Sequence, residues 1–283
     1  MDIAIVGAGT VGTAVGVAWD RAGHRLVSLA GREATVERAG TWLRGVPVRP
    51  IAEAVRGAEV VAIGVPDDAL PAVVASVADA VGPGVWVLHL SGAHGLETLG
   101  PIEAAGARPL ALHPLQTFAD VASAIESLPG CAVAVTAADE EGSLLGERLA
   151  HDLGGRPFRL PDAQRPLYHA AAVFASNYLV AISGAGEDLF ARAGVPGVLP
   201  AMRPLQETTL ANVHRLGPRA ALTGPAVRGD AGTIERNLSA IAAGAPDLVA
   251  TYVALCRTAM AVGGDRVPQT GRRAIEEVLA RWS

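Results

Sequence analysis

The first half of the chain alternates short, β-rich apolar runs with longer helical stretches. Such alternation is typical of parallel strands joined by crossover helices. The pattern predicts strands at Ile3–Val6, Arg25–Leu29, Val60–Gly64, Val85–Leu90, Pro109–His113, Cys131–Thr136 and Arg156–Arg159. Helices are predicted at about 10–22, 33–43, 68–80, 95–105 and 139–153. The fold class expected here is α/β, an N-terminal Rossmann-type, doubly wound, mostly parallel sheet.

The alternation stops near Pro161, and no strand pattern follows it. Long apolar-rich helices are predicted instead, at Gln164–Ala193, Val195–Leu216, Thr233–Ala243, Asp247–Gly263 and Gly271–Arg281. Gly-Pro pairs at 217–218 and 224–225 punctuate the connections, as expected where helices stop and turn. We therefore expect two domains, with the sheet in residues 1–161 and an all-helical C-terminal domain in residues 162–283.

Composition narrows the class of protein. Half of the 283 residues are apolar, enough to bury a sizeable core. A net charge of -5 gives no reason to expect a nucleic-acid partner. Cys131 and Cys256 lie far apart without metal-ligand spacing, which favours free thiols in a reducing cytoplasm and no metal site. Because the longest apolar run is too short to cross a bilayer and no export signal is visible, we expect a cytoplasmic protein without membrane contact.

All 23 basic residues counted as Lys or Arg are arginine. Any mechanism that needs a lysine is therefore excluded, including Walker-type phosphate binding, Schiff-base chemistry and a lysine general acid.

A glycine-rich turn, Gly7-Ala8-Gly9-Thr10-Val11-Gly12, follows the first predicted strand and opens a helix. This is the context that a dinucleotide fingerprint requires. Gly7 permits the tight turn, Gly9 lets a pyrophosphate approach the backbone, and Gly12 allows the helix to pack closely on the strand. The helix N-terminus then faces the phosphates. The motif predicts a bound dinucleotide.

The end of the second predicted strand indicates which dinucleotide binds. An NAD-binding domain carries a carboxylate about 20 residues after the glycines, but here the strand runs into Ala30-Gly31-Arg32. Arg32 suits a 2′-phosphate, with Ser28 or Thr35 as hydroxyl donors. The sequence therefore predicts NADP(H) as the bound dinucleotide. In the competing interpretation, Arg32 is exposed to solvent at the start of the helix and Glu33 turns inward.

Val65-Pro66-Asp67 follows the third predicted strand, at the sheet edge where ligands of open α/β folds bind. We expect this turn to line the nicotinamide ribose. It can equally cap the next helix.

Two further strand ends carry polar groups, at Ser91 and at His113, the latter followed by Gln116. Since strand carboxyl ends converge on one cleft, Ser91 and His113 are candidates for catalysis and, with Gln116, for holding a substrate. A structural role for His113 is an equally weighted alternative.

The predicted helix that opens the second half carries His169 and Asn177 at a spacing of eight, on one face. Reduction of a ketone or imine by hydride needs a proton donor, and histidine can serve as one. We assign that role to His169 and substrate contact to Asn177. The alternative is that both are polar residues satisfied at the domain interface.

Arg228 lies in a glycine-rich loop from Thr223 to Asp230. Its guanidinium can clamp a substrate carboxylate, or it can form a structural salt bridge with Asp230.

Taken together, these motifs resemble a bacterial family of Rossmann-like proteins with a C-terminal helical domain of unknown function 2520. Besides the glycine turn, they are Val65-Pro66-Asp67, His89-Leu90-Ser91-Gly92, His113-Pro114-Leu115-Gln116, Tyr168-His169-Ala170-Ala171-Ala172 through Ser176-Asn177, and Thr223-Gly224-Pro225 with Arg228-Gly229-Asp230. The resemblance extends to pyrroline-5-carboxylate reductases, ketopantoate reductases, prephenate dehydrogenases and F420-dependent NADP reductases. It implies an NADP(H)-dependent oxidoreductase that dimerises through its helical domain.

The same resemblance implies 2-dehydropantoate, reduced to pantoate, as the leading substrate. Ketopantoate reductases use a lysine on the corresponding helix, which this chain lacks, so His169 or a positioned water must replace it. Imine or pyrroline-carboxylate reduction, reduction of F420, and an NADP(H)-binding sensor without catalysis remain open alternatives.

Overall fold

A computed structural model describes residues 1–282 of the chain. Its sheet has seven strands in the order β2-β1-β3-β4-β5-β6-β7. They are β1 Asp2–Val6, β2 Arg25–Ala30, β3 Val60–Ile63, β4 Trp86–His89, β5 Arg108–Pro114, β6 Ala132–Ala137 and β7 Arg156–Arg159. The strands β1 to β5 run parallel, and β6 pairs antiparallel with β5. The predicted mostly parallel sheet is confirmed.

Eight α-helices accompany the sheet. They are α1 Thr10–Arg21, α2 Glu33–Trp42, α3 Ile51–Ala54, α4 Leu70–Ala78, α5 Gly100–Ala104, α6 Val121–Ser127, α7 Glu140–Asp152 and α8 Arg165–Ala175. The short helices α3 and α6 were not predicted, because four and seven residues are too few to display a helical period.

The sheet separates two apolar layers, because successive strand residues point to opposite faces. Ile3 and Ile5 of β1 join one buried cluster, while Ala4 and Val6 join the other. Continuous burial of both faces explains why β1 and β3 read as unbroken apolar runs. Since β1 lies between β2 and β3, the chain order reverses there, and a crevice is expected at the carboxyl ends of β1 and β3.

The helices of the C-terminal half are α9 Asn177–Arg192, α10 Val198–Leu216, α11 Pro218–Ala221, α12 Pro225–Arg228, α13 Ala231–Gly244, α14 Val249–Gly263 and α15 Gln269–Ala280. No strand occurs among these described residues, so the predicted all-helical character is confirmed. A buried cluster that includes Ile234, Leu238, Met260 and Ile275 forms the core of helices α12 to α15. Among the described helices, none is long and apolar enough to cross a membrane.

One predicted helix is wrong. The expected continuous segment Gln164–Ala193 is interrupted at Ser176, whose backbone leaves the helical conformation with φ -125° and ψ -70°. Ser176 caps α8, and α9 begins at Asn177. The regular spacing that placed Asn177 on the His169 face therefore does not hold across this break.

The chain divides into two compact units, Met1–Asn177 and a second that begins at Tyr178. The first unit contains α8 as well as the sheet. The predicted domain limits, 1–161 and 162–283, stay a prediction.

Candidate functional site

The glycine turn joins β1 to α1. Gly7 has a positive φ of +89°, a conformation that favours glycine, and its N–H donates to the Ala30 carbonyl over 2.7 Å. A Cβ on Gly7 would collide with the Val65 side chain, and one on Gly12 would lie 2.5 Å from the Gly7 carbonyl oxygen. Both positions therefore require glycine for close packing of the turn against α1 and the end of β3.

Gly9 differs from its two neighbours in the motif. A Cβ added there would meet no protein atom within 4 Å, so the protein's own packing does not demand glycine at this position. The open space lies in front of the N-terminus of α1, where backbone N–H groups favour an anion. This is the space that a dinucleotide pyrophosphate would fill.

A cavity of about 740 Å³ extends from this turn. Its walls come from the carboxyl ends of β1, β2 and β3 and the segments that follow them. The lining comprises Val6, Gly7, Gly9, Ala30, Gly31, Arg32, Thr35, Arg38, Arg49, Pro50, Ile51, Gly64, Val65, Pro66, Asp68, Ala69 and Val73. The cavity thus occupies the crevice that the reversal of strand order predicts.

Three arginines and one carboxylate line this cavity within the described chain. Arg32 was predicted, whereas Arg38 and Arg49 were not. Arg38 Nε donates to the Ala8 carbonyl over 3.0 Å and so braces the glycine turn. The excess of positive charge suits a phosphate group. The signal that sequence reasoning missed is the recurrence of arginine after the second strand.

The two proposed hydroxyl donors have different positions. Thr35 lines the cavity. Ser28 is buried in β2, and its hydroxyl donates to the Ala54 carbonyl. The suggestion that Ser28 binds a phosphate is therefore wrong, because its proton is already used inside the fold.

Of the other predicted cofactor-binding residues, some line the cavity and some do not. Val65 and Pro66 line the cavity. Asp67, which was predicted, is not part of the described lining, whereas its neighbour Asp68 is. Ala8, Thr10 and Val11 form the turn and the start of α1 without appearing in the described lining. A contact from these four residues to the cofactor stays a prediction.

A histidine cluster lies at the carboxyl ends of β4 and β5. Nδ1 of His113 lies 2.7 Å from the Tyr168 hydroxyl, and the His113 and His169 ring centroids are 6.4 Å apart. A Cβ on Gly92 would lie 2.8 Å from both His113 Nε2 and His169 Nδ1. Only the absence of a side chain at Gly92 lets the two rings approach this loop, so three predicted motifs meet here.

Burial and charge keep His113 neutral. Burial lowers the pKa of His113 to about 4, assisted by the positive charge of Arg165 and by His169. Burial likewise lowers the pKa of His89 to about 4. Burial raises the pKa of Tyr168 to about 12. At neutral pH the imidazoles of His113 and His89 are therefore uncharged, and the Tyr168 phenol is protonated.

Arg165 organises the cluster and was not predicted. It is fully buried, and its guanidinium donates to the carbonyls of Ser91 and His94 and, over 2.9 Å, to the Thr136 hydroxyl. An arginine in the first turn of a helix opposes the helix dipole, which is the signal that could have drawn attention to it.

Ser91 and Gln116 make mainly local contacts. Ser91 Oγ accepts hydrogen bonds from the backbone N–H groups of Ala93 and His94, so it shapes the loop after β4. Gln116 Nε2 donates to the Ser127 carbonyl, while Oε1 accepts from the Thr117 N–H. The amide of Gln116 is thus engaged at both ends. Substrate contacts by Ser91 and Gln116 stay predictions.

Asn177 and Arg228 are exposed. The suggested Arg228–Asp230 salt bridge does not form, because within the described residues Asp230 instead caps α13 through its bonds to Thr233. Roles for Asn177 and Arg228 in substrate binding stay predictions.

The sheet order, the glycine turn and the cavity at the strand ends define a Rossmann-type protein with a helical C-terminal half. Residues 1–114 match the Rossmann-like domain, and residues 131–259 match the domain of unknown function DUF2520. Both matches lie where the motifs of the family resemblance indicated. The comparison with curated proteins gives no match.

Solved structures share this fold over nearly the whole chain. A candidate NADP oxidoreductase from Bacteroides fragilis is 23% identical with a TM-score of 0.78, covering 92% of this chain and 98% of that one. An imine reductase from Myxococcus stipitatus in complex with NADP⁺ is 15% identical, with a TM-score of 0.68 and coverage of 100% and 99%. A reductive aminase from Aspergillus terreus in complex with NADPH is 17% identical, with a TM-score of 0.67 and coverage of 98% and 98%. At these identities the likeness establishes the fold.

Proposed function

We propose that this protein is an NADP(H)-dependent oxidoreductase that reduces a C=O or C=N bond of a small substrate. The observation that carries the proposal is the space in front of Gly9, which protein packing leaves open beside a cavity lined by three arginines. The glycine turn and the N-terminus of α1 fit a pyrophosphate. The fold neighbours described as bound to NADP⁺ and NADPH support the same cofactor.

The charges of the cavity favour NADP(H) over NAD(H). β2 ends at Ala30 and continues into Gly31, so no carboxylate stands at the strand tip to bind a ribose 2′-hydroxyl. Arg32, Arg38 and Arg49 line the same region and can pair with a 2′-phosphate. When bound, NADPH supplies a hydride from its nicotinamide ring.

The reacting centre belongs at the neighbouring strand ends. β4 lies between β3 and β5, and all three are parallel, so the cavity edge at Val65 and the histidine cluster share one edge of the sheet. There His113 and His169 orient the substrate, and His169 delivers the proton that the reduced heteroatom needs. His169 Nδ1 is buried and has no hydrogen-bond partner within residues 1–282, and an unsatisfied buried nitrogen beside Gly92 supports a functional role for this ring.

The leading substrate is 2-dehydropantoate, which carries a ketone beside a carboxylate. This finer assignment rests on the family resemblance. A second candidate is a cyclic or open imine, such as a pyrroline carboxylate. Two observations favour it: fold neighbours include an imine reductase and a reductive aminase, and the chain contains no lysine to serve as a strong acid. An imine that arrives protonated needs no such acid.

We also propose a homodimer formed through the helical half. No residue of α9 is buried, and Leu179, Val180, Ile182 and Phe190 of that helix are exposed. Leu199, Leu205 and Leu210 of α10 are exposed as well. A large apolar surface on neighbouring helices is typical of a protein interface. A cytoplasmic location remains part of this proposal.

The first test separates cofactor binding from catalysis. NADPH affinity of the purified protein is measured by fluorescence titration, and NADPH oxidation is followed with 2-dehydropantoate, with Δ1-pyrroline-5-carboxylate and with F420. We expect the unaltered protein to bind NADPH tightly and to turn over one of these substrates. In His169→Ala the turnover rate should fall about 10²- to 10⁴-fold. His151→Ala, an exposed histidine of α7, is the matched control.

Each outcome has a distinct meaning. Turnover of the keto acid supports the leading substrate, and turnover of the pyrroline supports imine reduction. Tight NADPH binding without turnover of any of the three contradicts the reductase assignment and favours an NADP(H) sensor. Failure to bind NADPH overturns the proposal as a whole.

A further inference from the structure

The two ring nitrogens of His113 have different surroundings. Nδ1 lies 2.7 Å from the Tyr168 hydroxyl. Nε2 makes no hydrogen bond within the described residues 1–282, and it is not fully enclosed. One nitrogen is thus held by the protein, while the other is available to a bound molecule.

We propose that His113 acts as a neutral hydrogen-bond donor through its Nε2–H, with Tyr168 and Arg165 as the positioning residues that fix this state. The proposal rests on the proposed function, because the acceptor is the heteroatom of the substrate that is reduced there. It assigns His113 a different task from His169, which supplies the proton.

Tyr168 selects the tautomer. A neutral imidazole has one bare and one protonated nitrogen, and the nitrogen that accepts a hydrogen bond must be the bare one. Burial raises the pKa of Tyr168 to about 12, so its hydroxyl is protonated, and in the proposed state it donates a hydrogen bond to Nδ1. The remaining ring proton of His113 then resides on Nε2.

Arg165 holds the loop beside the His113 ring in place and also opposes protonation of that ring. It ties the carbonyls of Ser91 and His94 and the hydroxyl of Thr136 to the start of α8. These bonds hold the loop that carries Gly92 against the His113 ring. None of the three acceptors is a carboxylate, so the cation is not neutralised by its hydrogen-bond partners and opposes protonation of nearby imidazoles.

The groups that act on His113 come from every element packed around it. Burial is the largest effect, and Arg165 and His169 from α8 also lower its pKa, as does His89 from β4. Asp67 after β3 opposes them and raises it. Burial and positive charge outweigh the single carboxylate, so the ring remains neutral.

The substrate carbon would receive a hydride, with its electron pair, from NADPH, and the π electron pair of the C=O or C=N bond would move onto the heteroatom. Nε2–H of His113 donates a hydrogen bond to that developing charge and keeps its proton. The proton that completes the reduction comes from His169. A neutral donor suits this task, because it stabilises charge in the transition state without first having to be protonated.

The test is ¹⁵N–¹H NMR of the histidine rings in the full-length protein without cofactor or substrate, with His113→Gln used to assign the signals. We expect the Nε2–H tautomer of His113 at pH 7 and a titration midpoint near the value of about 4. Tyr168→Phe removes the hydroxyl and should give a mixture of tautomers. Tyr252→Phe, which removes a hydroxyl bound to Asn237 in the second unit, is the matched control and should change nothing.

The charge of Arg165 is tested by two substitutions. Arg165→Gln should move the His113 midpoint upward, part of the way to the ordinary value of about 6.5, whereas Arg165→Lys keeps the charge and should leave it low. Thermal unfolding reports whether each variant folds. If Arg165→Gln does not fold, the Tyr168→Phe comparison still decides the tautomer.

An Nδ1–H tautomer or a doubly protonated His113 ring at pH 7 overturns the inference. So does an unchanged ring in Tyr168→Phe. Because these spectra need neither NADPH nor a substrate, they are independent of the tests of the proposed function.

Discussion

A Cβ added to Gly92 would lie 2.8 Å from Nε2 of His113. This separation is shorter than real Cβ atoms tolerate, so Gly92→Ala must displace the imidazole or the loop. If His113 contacts the reacting bond, displacement of that size should lower turnover about 10²-fold. NADPH affinity should be unchanged, because Gly92 does not line the cofactor cavity in the described structure.

Gly100→Ala is the control for this substitution. Gly100 begins α5 with helical backbone angles, and a Cβ there would meet nothing within 4 Å. Steady-state kinetics and NADPH titration of both variants make the comparison. Full activity in Gly92→Ala would mean that His113 does not act at this position.

The glycine turn offers a second comparison. Gly9→Ala should leave the melting temperature unchanged, because its Cβ meets no protein atom, yet weaken NADPH binding about 10-fold or more by occupying the pyrophosphate space. Gly12→Ala places its Cβ 2.5 Å from the Gly7 carbonyl oxygen and should destabilise the fold by about 1–3 kcal/mol. Calorimetry and fluorescence titration give both quantities. Equal NADPH affinity in Gly9→Ala and the unaltered protein would contradict the assigned phosphate position.

The arginines predict cofactor preference. Arg32→Gln and Arg49→Gln should each weaken NADPH binding about 10-fold, from the loss of one charge-assisted contact to the 2′-phosphate. NADH affinity should stay the same, since that cofactor has no 2′-phosphate. Arg56→Gln, an exposed arginine outside the cavity, is the control. An equal loss of NADPH and NADH affinity would show that these arginines contact a part of the cofactor other than the 2′-phosphate.

Sequence reasoning succeeded where the determinants are local. Gly7 to Gly12 are contiguous, and their role follows from spacing after a strand. Ser91 and His113 were predicted as site candidates because strand ends meet at one sheet edge, and the structure places them at the ends of β4 and β5. The strands and most helices of the first half follow from short-range apolar periodicity.

Other features depend on contacts far apart in the sequence. Arg165 bonds to residues 71 and 74 positions away, and no local pattern encodes such a pairing. The break at Ser176 likewise lies inside an apolar run that reads as one helix. Arg38 and Arg49 reach the cavity through the fold of the segment after β2.

The histidines predict a pH dependence of stability. His113 and His89 have folded-state pKa values of about 4, below the unfolded value of about 6.5. Between these values the unfolded chain binds more protons, so the unfolding free energy is unaffected above about pH 6.5 and falls as the pH drops towards 4. Each histidine should contribute a loss of about 2 kcal/mol by pH 5.

Urea unfolding at pH 7 and pH 5 measures this loss. His113→Gln, which cannot be protonated in this range, should lose less stability over the interval than the unaltered protein. His151→Gln changes an exposed histidine and should behave as the unaltered protein does. An identical loss in His113→Gln would show that the buried ring does not carry the effect.

The exposed face of α9 predicts the state of assembly. The Val180 side chain is 71% exposed although it is apolar and lies in a helix without buried residues. If that face joins two copies of the chain, Val180→Glu places a charge in an apolar interface and should convert a dimer to a monomer. Leu144→Glu is the matched control, because Leu144 on α7 is an exposed leucine at 55% outside this face. Light scattering coupled to gel filtration gives the mass of each variant.

A monomeric unaltered protein, or a Val180→Glu variant that stays dimeric, would exclude α9 as the interface. Monomers that still bind NADPH would show that the cavity at the glycine turn, all of whose lining lies in the first unit, is complete within one chain.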